Sequence, residues 1–313
     1  MVDDFLFALN TVLSLLALMA TGWFCRRIGL LREQLMKDVN QLVFRVFLPV
    51  NLCCSVMNTP YDTPVSGLAF LLIPGLLFLQ FGLLFLFVPK LEKDPRKVGV
   101  MIQAMGRGNY AFFGIPLVAV LFPGQDTSLA ALLVAATAPV YNLMSVIALS
   151  IYGQGEIKVR RILLNILKNP LIISSLLGFV LWLLRFQPPA FLKTALNDLS
   201  KIATPLALFT LGGAIRFSGA KSHARQLAFV VPWKLFLSPL LFMAVCIWAG
   251  MRGVALACAF VAFGAPVAVT SYPMAQSMGG DGELAAECVA VTSALCIFST
   301  FIFVFFMKSS GLI

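Results

Sequence analysis

Asp126–Ala138 reads DTSLAALLVAATA, and Asp281–Ser293 reads DGELAAECVAVTS. Seven of these thirteen positions are identical at a constant offset of 155 residues. Alanine matches are cheap between apolar helices, but an Asp and a Thr fall in step here as well. The echo extends backwards with small gaps: Arg96 and Val98 answer Arg252 and Val254, and Pro116 answers Pro273. Weaker echoes pair Asp38-Val39 with Asp198-Leu199 and Pro74 with Pro232. The chain therefore reads as two copies of one plan.

Composition says what the copies are made of. Of 313 residues, 60% are hydrophobic and 12% charged, against about a quarter charged in a soluble domain. Apolar runs recur at close to the length that spans a hydrocarbon core of ~30 Å. Ten spans are predicted, at 5–25, 38–58, 66–89, 98–121, 128–152, 170–187, 198–216, 226–249, 253–278 and 284–307. The expected fold class is an all-α polytopic membrane protein. Residues 1–152 form the first five-helix repeat, 153–169 a cytoplasmic linker, and 170–313 the second repeat. An odd number of spans per copy sends the second copy into the membrane from the opposite side, an inverted-repeat plan used by secondary transporters. The acidic start (Asp3, Asp4) and the length of the first apolar run predict a retained span rather than a cleaved leader.

Charge orients the spans. The net charge is +10. Lys and Arg cluster in the odd-numbered loops, for example Arg26, Arg27, Arg32 and Lys37 in the first, and Lys90, Lys93, Arg96 and Lys97 in the third. The second loop (Asn58 to Pro64) and the fourth (Phe122 to Asp126) hold none. The positive-inside rule puts the odd loops in the cytoplasm and both termini outside. With no basic stripe and no nucleic-acid motif, the charge does not read as nucleic-acid binding. The seven cysteines lie in or at the ends of apolar runs and read as small buried hydrophobes.

Spans four and nine are interrupted in corresponding places. Span four contains GRGNYAFFGIP, with Gly106, Gly108, Asn109, Gly114 and Pro116; span nine contains FGAPVAVTSYPMAQ, with Gly264, Pro266, Thr270, Ser271 and Pro273. Proline removes a backbone donor and glycine lowers the cost of unwinding. Such backbone is tolerated in a membrane only where protein or a water-filled cavity satisfies it, so paired interruptions point to a substrate site. The half-helix after each break is expected to offer N–H groups and a positive end to a carboxylate. Arg107 is placed to turn towards that cavity and attract an anion, and Asn142 to line it. Arg45 and Lys234 read as structural or interfacial, and Gln80 as a polar residue within the spans. No Asp or Glu falls at mid-membrane depth, so a carboxylate-pair ion relay has no candidate; uniport, or coupling through an interfacial residue such as Glu287, is the expectation. The single histidine, His223, sits in a basic loop, and no catalytic or metal-site motif occurs. Neither an enzyme nor a cofactor is expected.

At these residues the sequence resembles the auxin efflux carrier family, which includes plant PIN proteins and short bacterial relatives. The resemblance is carried by NYAFFGIP (109–116), APVYN (138–142), NPLIISSLLG (169–178), TPLALFTLGG (204–213) and Pro266 to Asp281. It implies an NhaA- or bile-acid-transporter-like fold with a scaffold of helices 1, 2, 6 and 7. Helices 3–5 and 8–10 would form a mobile transport domain. It further implies elevator-type secondary transport of small organic anions, auxin in plants and carboxylates such as malate or malonate in bacteria. By motif match, Asn109 is the crossover asparagine that faces substrate, and Pro116 and Pro273 are the crossover prolines. The short linker points to a bacterial-type member in the inner membrane, with a homodimer through the scaffold as the family expectation. An unrelated 5+5 exporter of the drug/metabolite type, and a non-transporting membrane sensor or scaffold, stand as alternatives.

Overall fold

The computed structural model describes residues 13, 17–58, 67–122, 128–153, 168, 170–214 and 223–313. Most of the 153–169 linker, the N-terminal residues, Asp126 and the 59–66 loop lie outside the described residues. Described helix lies within each predicted span, interrupted at 107–109 in the fourth and 265–270 in the ninth. Helix α1 covers residues 17–27. Helices α2 (Glu33–Leu42) and α3 (Leu48–Met57) are joined by a π-helical turn, Val43–Phe47. Helix α4 runs Gly67–Leu91, α5 Pro95–Gly106, α6 Ile115–Leu121 and α7 Ser128–Tyr152. Then come α8 (Pro170–Leu183), α9 (Ala190–Ala214), α10 (Ala224–Pro232), α11 (Ser238–Trp248), α12 (Gly253–Gly264), α13 (Ser271–Ser277) and α14 (Gly282–Ser309).

Three π-helical turns share one cause. Val43–Phe47, Tyr110–Gly114 and Trp233–Leu237 each run directly into an α-helix whose second residue is proline: Pro49, Pro116 and Pro239. A proline inside a helix lacks its donor and crowds the preceding turn. Widening that turn by one residue absorbs both effects without ending the helix. The segment Ala224–Trp248 therefore stays continuous through Pro232 and Pro239.

Among the described residues, four helices are long and apolar enough to cross a membrane by themselves: Gly67–Leu91, Leu132–Tyr152, Ala224–Trp248 and Gly282–Ser309. Their outer faces carry bare apolar side chains such as Leu71, Leu86, Trp248 and Phe298. A soluble protein does not leave so many exposed; the chain is a polytopic membrane protein.

Small residues set the helix packing, as expected where lipid removes the hydrophobic drive between helices. A Cβ on Gly22 of α1 would lie 1.9 Å from the Phe209 carbonyl oxygen of α9, and one on Gly212 would lie 1.9 Å from that of Met19. The two backbones touch reciprocally through both glycines. Arg26 donates to the Gly213 carbonyl at 2.7 Å, and Asn51 of α3 donates to the Ser200 hydroxyl of α9 at 2.9 Å. These contacts, with the close packing of α3 on α8, assemble α1–α3, α8 and α9. In a second group α4 packs on α5 and α7, α11 on α12, and α13 on α14.

Candidate functional site

Helices α5 and α12 both stop inside the second group. Helix α5 ends at Gly106, and Arg107 is extended (φ −94°, ψ 117°). Helix α12 ends at Gly264, and Ala265 is extended (φ −60°, ψ 148°). Pro266 lacks the N–H that would continue α12, a common reason for a helix to stop just before it. The two extended stretches then meet. Gly108 and Val267 form an antiparallel bridge, and the Asn109 N–H donates to the Pro266 carbonyl at 2.8 Å.

Stopping two helices in the core exposes their last carbonyls, and side chains from neighbouring helices satisfy them. Gln80 of α4 donates to the Met105 carbonyl at 3.0 Å and to the Ser238 hydroxyl at 2.8 Å. The Tyr141 hydroxyl of α7 donates to the Ala262 carbonyl at 2.6 Å. Lys234, fully buried, donates to the Phe263 carbonyl at 3.3 Å, and the Ser238 hydroxyl reaches the same oxygen at 3.4 Å. The Val267 N–H donates to the Thr292 hydroxyl at 3.1 Å. The crossing is thus a hydrogen-bonded joint, consistent with the cost of leaving backbone groups unpaired in hydrocarbon.

The breaks include Gly108, Asn109 and Pro266 and fall upstream of Pro116 and Pro273. Pro116 is the second residue of α6 and Pro273 the third of α13, first-turn positions where a missing donor costs little. The half-helices that follow are seven residues each. Their leading amides are largely taken: in α13 Ser271 N–H donates to the Ala268 carbonyl at 2.9 Å and Met274 N–H to the Thr270 carbonyl at 3.3 Å, and Ile115 N–H at the start of α6 donates to the Tyr110 carbonyl. The charged group at the crossing is a side chain. Arg107 is 6% exposed; it donates to the Thr270 hydroxyl at 2.8 Å and leans on the Met274 sulfur at 3.2 Å. Among the described residues no carboxylate pairs with it.

A cavity of about 70 Å³ opens beside the crossing, room for several waters or a small carboxylate. Arg107, Asn109 and Thr270 form one wall, Thr137, Tyr141 and Asn142 of α7 another, and Leu48, Asn51, Leu52 and Leu171 the third. It therefore lies between the two helix groups. The Asn109 Nδ2 and both amide atoms of Asn142 are buried without a hydrogen-bond partner. Of the sequence-nominated residues, the structure brings Arg107, Asn109, Asn142 and Thr270 together here. Gly114 instead packs against Val261 of α12. Ser271 and Pro273 are buried inside α13 away from this cavity, and the side chain of Pro116 lies outside the described residues. Thr137, Asn51 and Tyr141 were not singled out, though Tyr141 stands beside Asn142 in APVYN. Lys234 sits at the joint itself rather than at an interface.

Two larger hollows flank the site. One of about 550 Å³ lies between α2 and the C-terminal end of α13, with Arg26, Lys37, Arg96, Glu33, Asp281 and Glu283 on its walls. The other, about 450 Å³, is apolar, opens between α4, α7 and α8, and has Asn142 among its lining residues.

A profile of the membrane transport protein family matches residues 7–304. The chain belongs to this family, to which the auxin efflux carriers belong. It is 24% identical over 302 residues to a transporter of Methanothermobacter thermautotrophicus with no assigned substrate, covering 94% of this chain and 97% of that one. It is 22% identical over 308 residues to a protein of Rhizobium meliloti provisionally named a malonate transporter, covering 96% of each. Another transporter without an assigned substrate, from Methanocaldococcus jannaschii, is 26% identical over 218 residues, or 65% of this chain and 68% of that one. The chain is accordingly a membrane transporter, with a small-molecule substrate and a lipid surround.

Proposed function

We propose that this transporter is a secondary carrier for small organic anions, with carboxylates of malonate or malate size as its substrates. One observation carries the reading: a buried arginine, Arg107, faces an interhelix cavity with no acidic partner among the described residues. A buried charge demands a counter-charge, and here a substrate carboxylate supplies it. The unpartnered Asn109 and Asn142 amides give the remaining hydrogen bonds, and Thr270 fixes the guanidinium. The relative provisionally named a malonate transporter supports the substrate class.

The mechanism that fits this placement is an elevator. Helices α1–α3, α8 and α9 act as scaffold, and α4–α7 with α10–α14 slide past them carrying the crossing. The two copies of the sequence plan then enter the membrane in opposite senses, with the basic loops in the cytoplasm and both termini outside, and the scaffold is where two protomers would pair. The test is uptake of radiolabelled malonate and malate into proteoliposomes. Asn109→Ala should lower uptake at least about tenfold, the effect of losing a hydrogen bond to a charged group, with an unchanged thermal midpoint. Wild-type uptake by the Asn109→Ala protein would overturn the placement of the site.

A further inference from the structure

We infer that His223, held between Asp281 and Glu287, is a proton switch on the carrier: with the proton bound it pins the start of α10 to α14 and slows transport, and loss of the proton as pH rises releases the pin. This rests on the elevator reading above, because the pinned point is where the chain passes from scaffold helix α9 into the mobile group.

His223 is the chain's single histidine. It precedes α10 directly and is buried, at 5% exposure. Its Nδ1 lies 3.1 Å from a Glu287 carboxylate oxygen, and its Nε2 lies 3.5 Å from the Asp281 Oδ2. A neutral imidazole carries one N–H, so it can offer a donor to only one of these carboxylates. The other carboxylate then faces a nitrogen lone pair. The imidazolium carries two N–H groups and meets both. The two ring nitrogens point to opposite sides, and the three side chains share no centre that could hold a metal. A proton is the ligand that this arrangement takes.

The surrounding charges leave the two carboxylates to the ring. Among the described residues no Lys or Arg pairs with Asp281 or Glu287. Glu283 adds a third carboxylate in the first turn of α14. The start of α14 offsets about half a negative charge, and Asp281 caps it by accepting from the Leu284 N–H at 3.0 Å. Of the cations on neighbouring elements, Arg96 donates to the Gly279 carbonyl at 3.3 Å and Arg225 to the Leu91 carbonyl at 3.0 Å. Lys97 at the start of α5 interacts with Glu92 in the loop before it. Cys288, next to Glu287, is fully buried. The clasp also reaches α5, since the Asp281 N–H donates to the Arg96 carbonyl at 3.2 Å. A neutral ring therefore gives up one of its two holds on α14, and the first turn of α10 loosens. That lengthens the tether from α9 and lets the mobile group slide more freely.

Two measurements test the switch. Protein without a histidine tag, labelled with 15N in its single histidine and held in lipid nanodiscs, reports the ring's protons directly by NMR. Both nitrogens should be protonated at the acid end, and one should lose its proton as pH rises through about pH 5 to 8. The ring should hold that proton at least about tenfold more weakly in Glu287→Gln, and likewise in Asp281→Asn, which keeps a capping side chain on α14. A ring whose protonation does not change over this range, or changes identically in wild type and both variants, would overturn the switch. The second measurement is the initial rate of radiolabelled malonate uptake into proteoliposomes by wild type and His223→Gln, at equal pH on both sides; titration of malonate itself affects both proteins alike. The ratio of wild-type to variant rate should rise at least about threefold from about pH 6 to about pH 8, the effect of about one hydrogen bond. A constant ratio would overturn the switch and leave the carrier reading standing. No uptake by either protein would overturn the carrier reading and the switch with it.

Discussion

Gly114 is a test of the crossing at the scale of one residue. A Cβ there would lie 1.8 Å from the Val261 Cγ1 and 3.1 Å from its Cβ, so even alanine forces the π-helical turn before α6 away from α12. Overpacking of this kind costs about 1–3 kcal/mol. Gly114→Ala should lower the thermal midpoint, and adding Val261→Ala should restore most of the loss; strictly additive losses in the double variant would show that the two residues do not meet. Tyr141 is subtler. Its hydroxyl satisfies the Ala262 carbonyl, and Tyr141→Phe leaves that buried oxygen bare at about 1–3 kcal/mol, read as a lowered unfolding midpoint. The sequence displayed Arg107, Asn109 and Asn142 because polar residues inside apolar spans stand out on their own. The task of Lys234 was not legible: it depends on where α12 stops, and nothing within Trp233–Leu237 records the Phe263 carbonyl.

At the scale of elements, the polar tie between the two helix groups is instructive. Asn40 of α2 donates to the Gln276 amide oxygen of α13 at 2.6 Å, while the Thr210 hydroxyl of α9 donates to Asn40 at 2.7 Å. This tie must break if α13 slides along the scaffold. Asn40 does not line the Arg107 cavity, so Asn40→Ala should raise the malonate uptake rate at least about twofold with the malonate Kd unchanged; a hydrogen bond of this kind contributes about 1 kcal/mol net. An unchanged rate would mean that α2 and α13 move together. The breaks themselves were half legible. Proline and glycine marked the right two spans, because their backbone effects are local. The breaks fall at Gly106 to Asn109 and at Gly264 to Pro266, within the quoted stretches, but not at Pro116 and Pro273, which sit in the first turns of the half-helices that follow. The expected donor ends of the half-helices were also misplaced: those amides are used up by turns that depend on local φ/ψ.

Across the whole molecule, described helix lies in each of the ten apolar stretches predicted from hydropathy, but it is interrupted in the fourth and ninth. In span seven the helix starts at Ala190, because an amphipathic lead-in joins it without a break. The loops also tie the groups together at the basic side. The Glu92 carboxylate accepts from the backbone N–H groups of Lys93 and Asp94 and from the Gln226 side chain of α10. Partial burial pushes this carboxyl up, but the hydrogen bonds from Asp94, Gln226 and Lys93 outweigh it and hold it below its ordinary value of 4.5. A carboxyl depressed in the folded state stabilises the fold above its unfolded value, and that stability is lost as pH falls through the folded value. Glu92→Gln should therefore flatten part of the fall in thermal midpoint below about pH 4.5 without altering the midpoint's trend at neutral pH; an identical acid profile in both proteins would contradict the clasp.

The proposed function rests on a cation, Arg107, buried at the crossing of two broken helices. Equilibrium binding of radiolabelled malonate to the purified protein, wild type against Arg107→Gln, tests that claim most directly. The account predicts saturable binding by the wild type and a Kd weakened about 10- to 100-fold in Arg107→Gln, the range expected for losing a charged hydrogen-bond partner, while a folded Arg107→Gln protein that binds malonate as tightly as the wild type would contradict it.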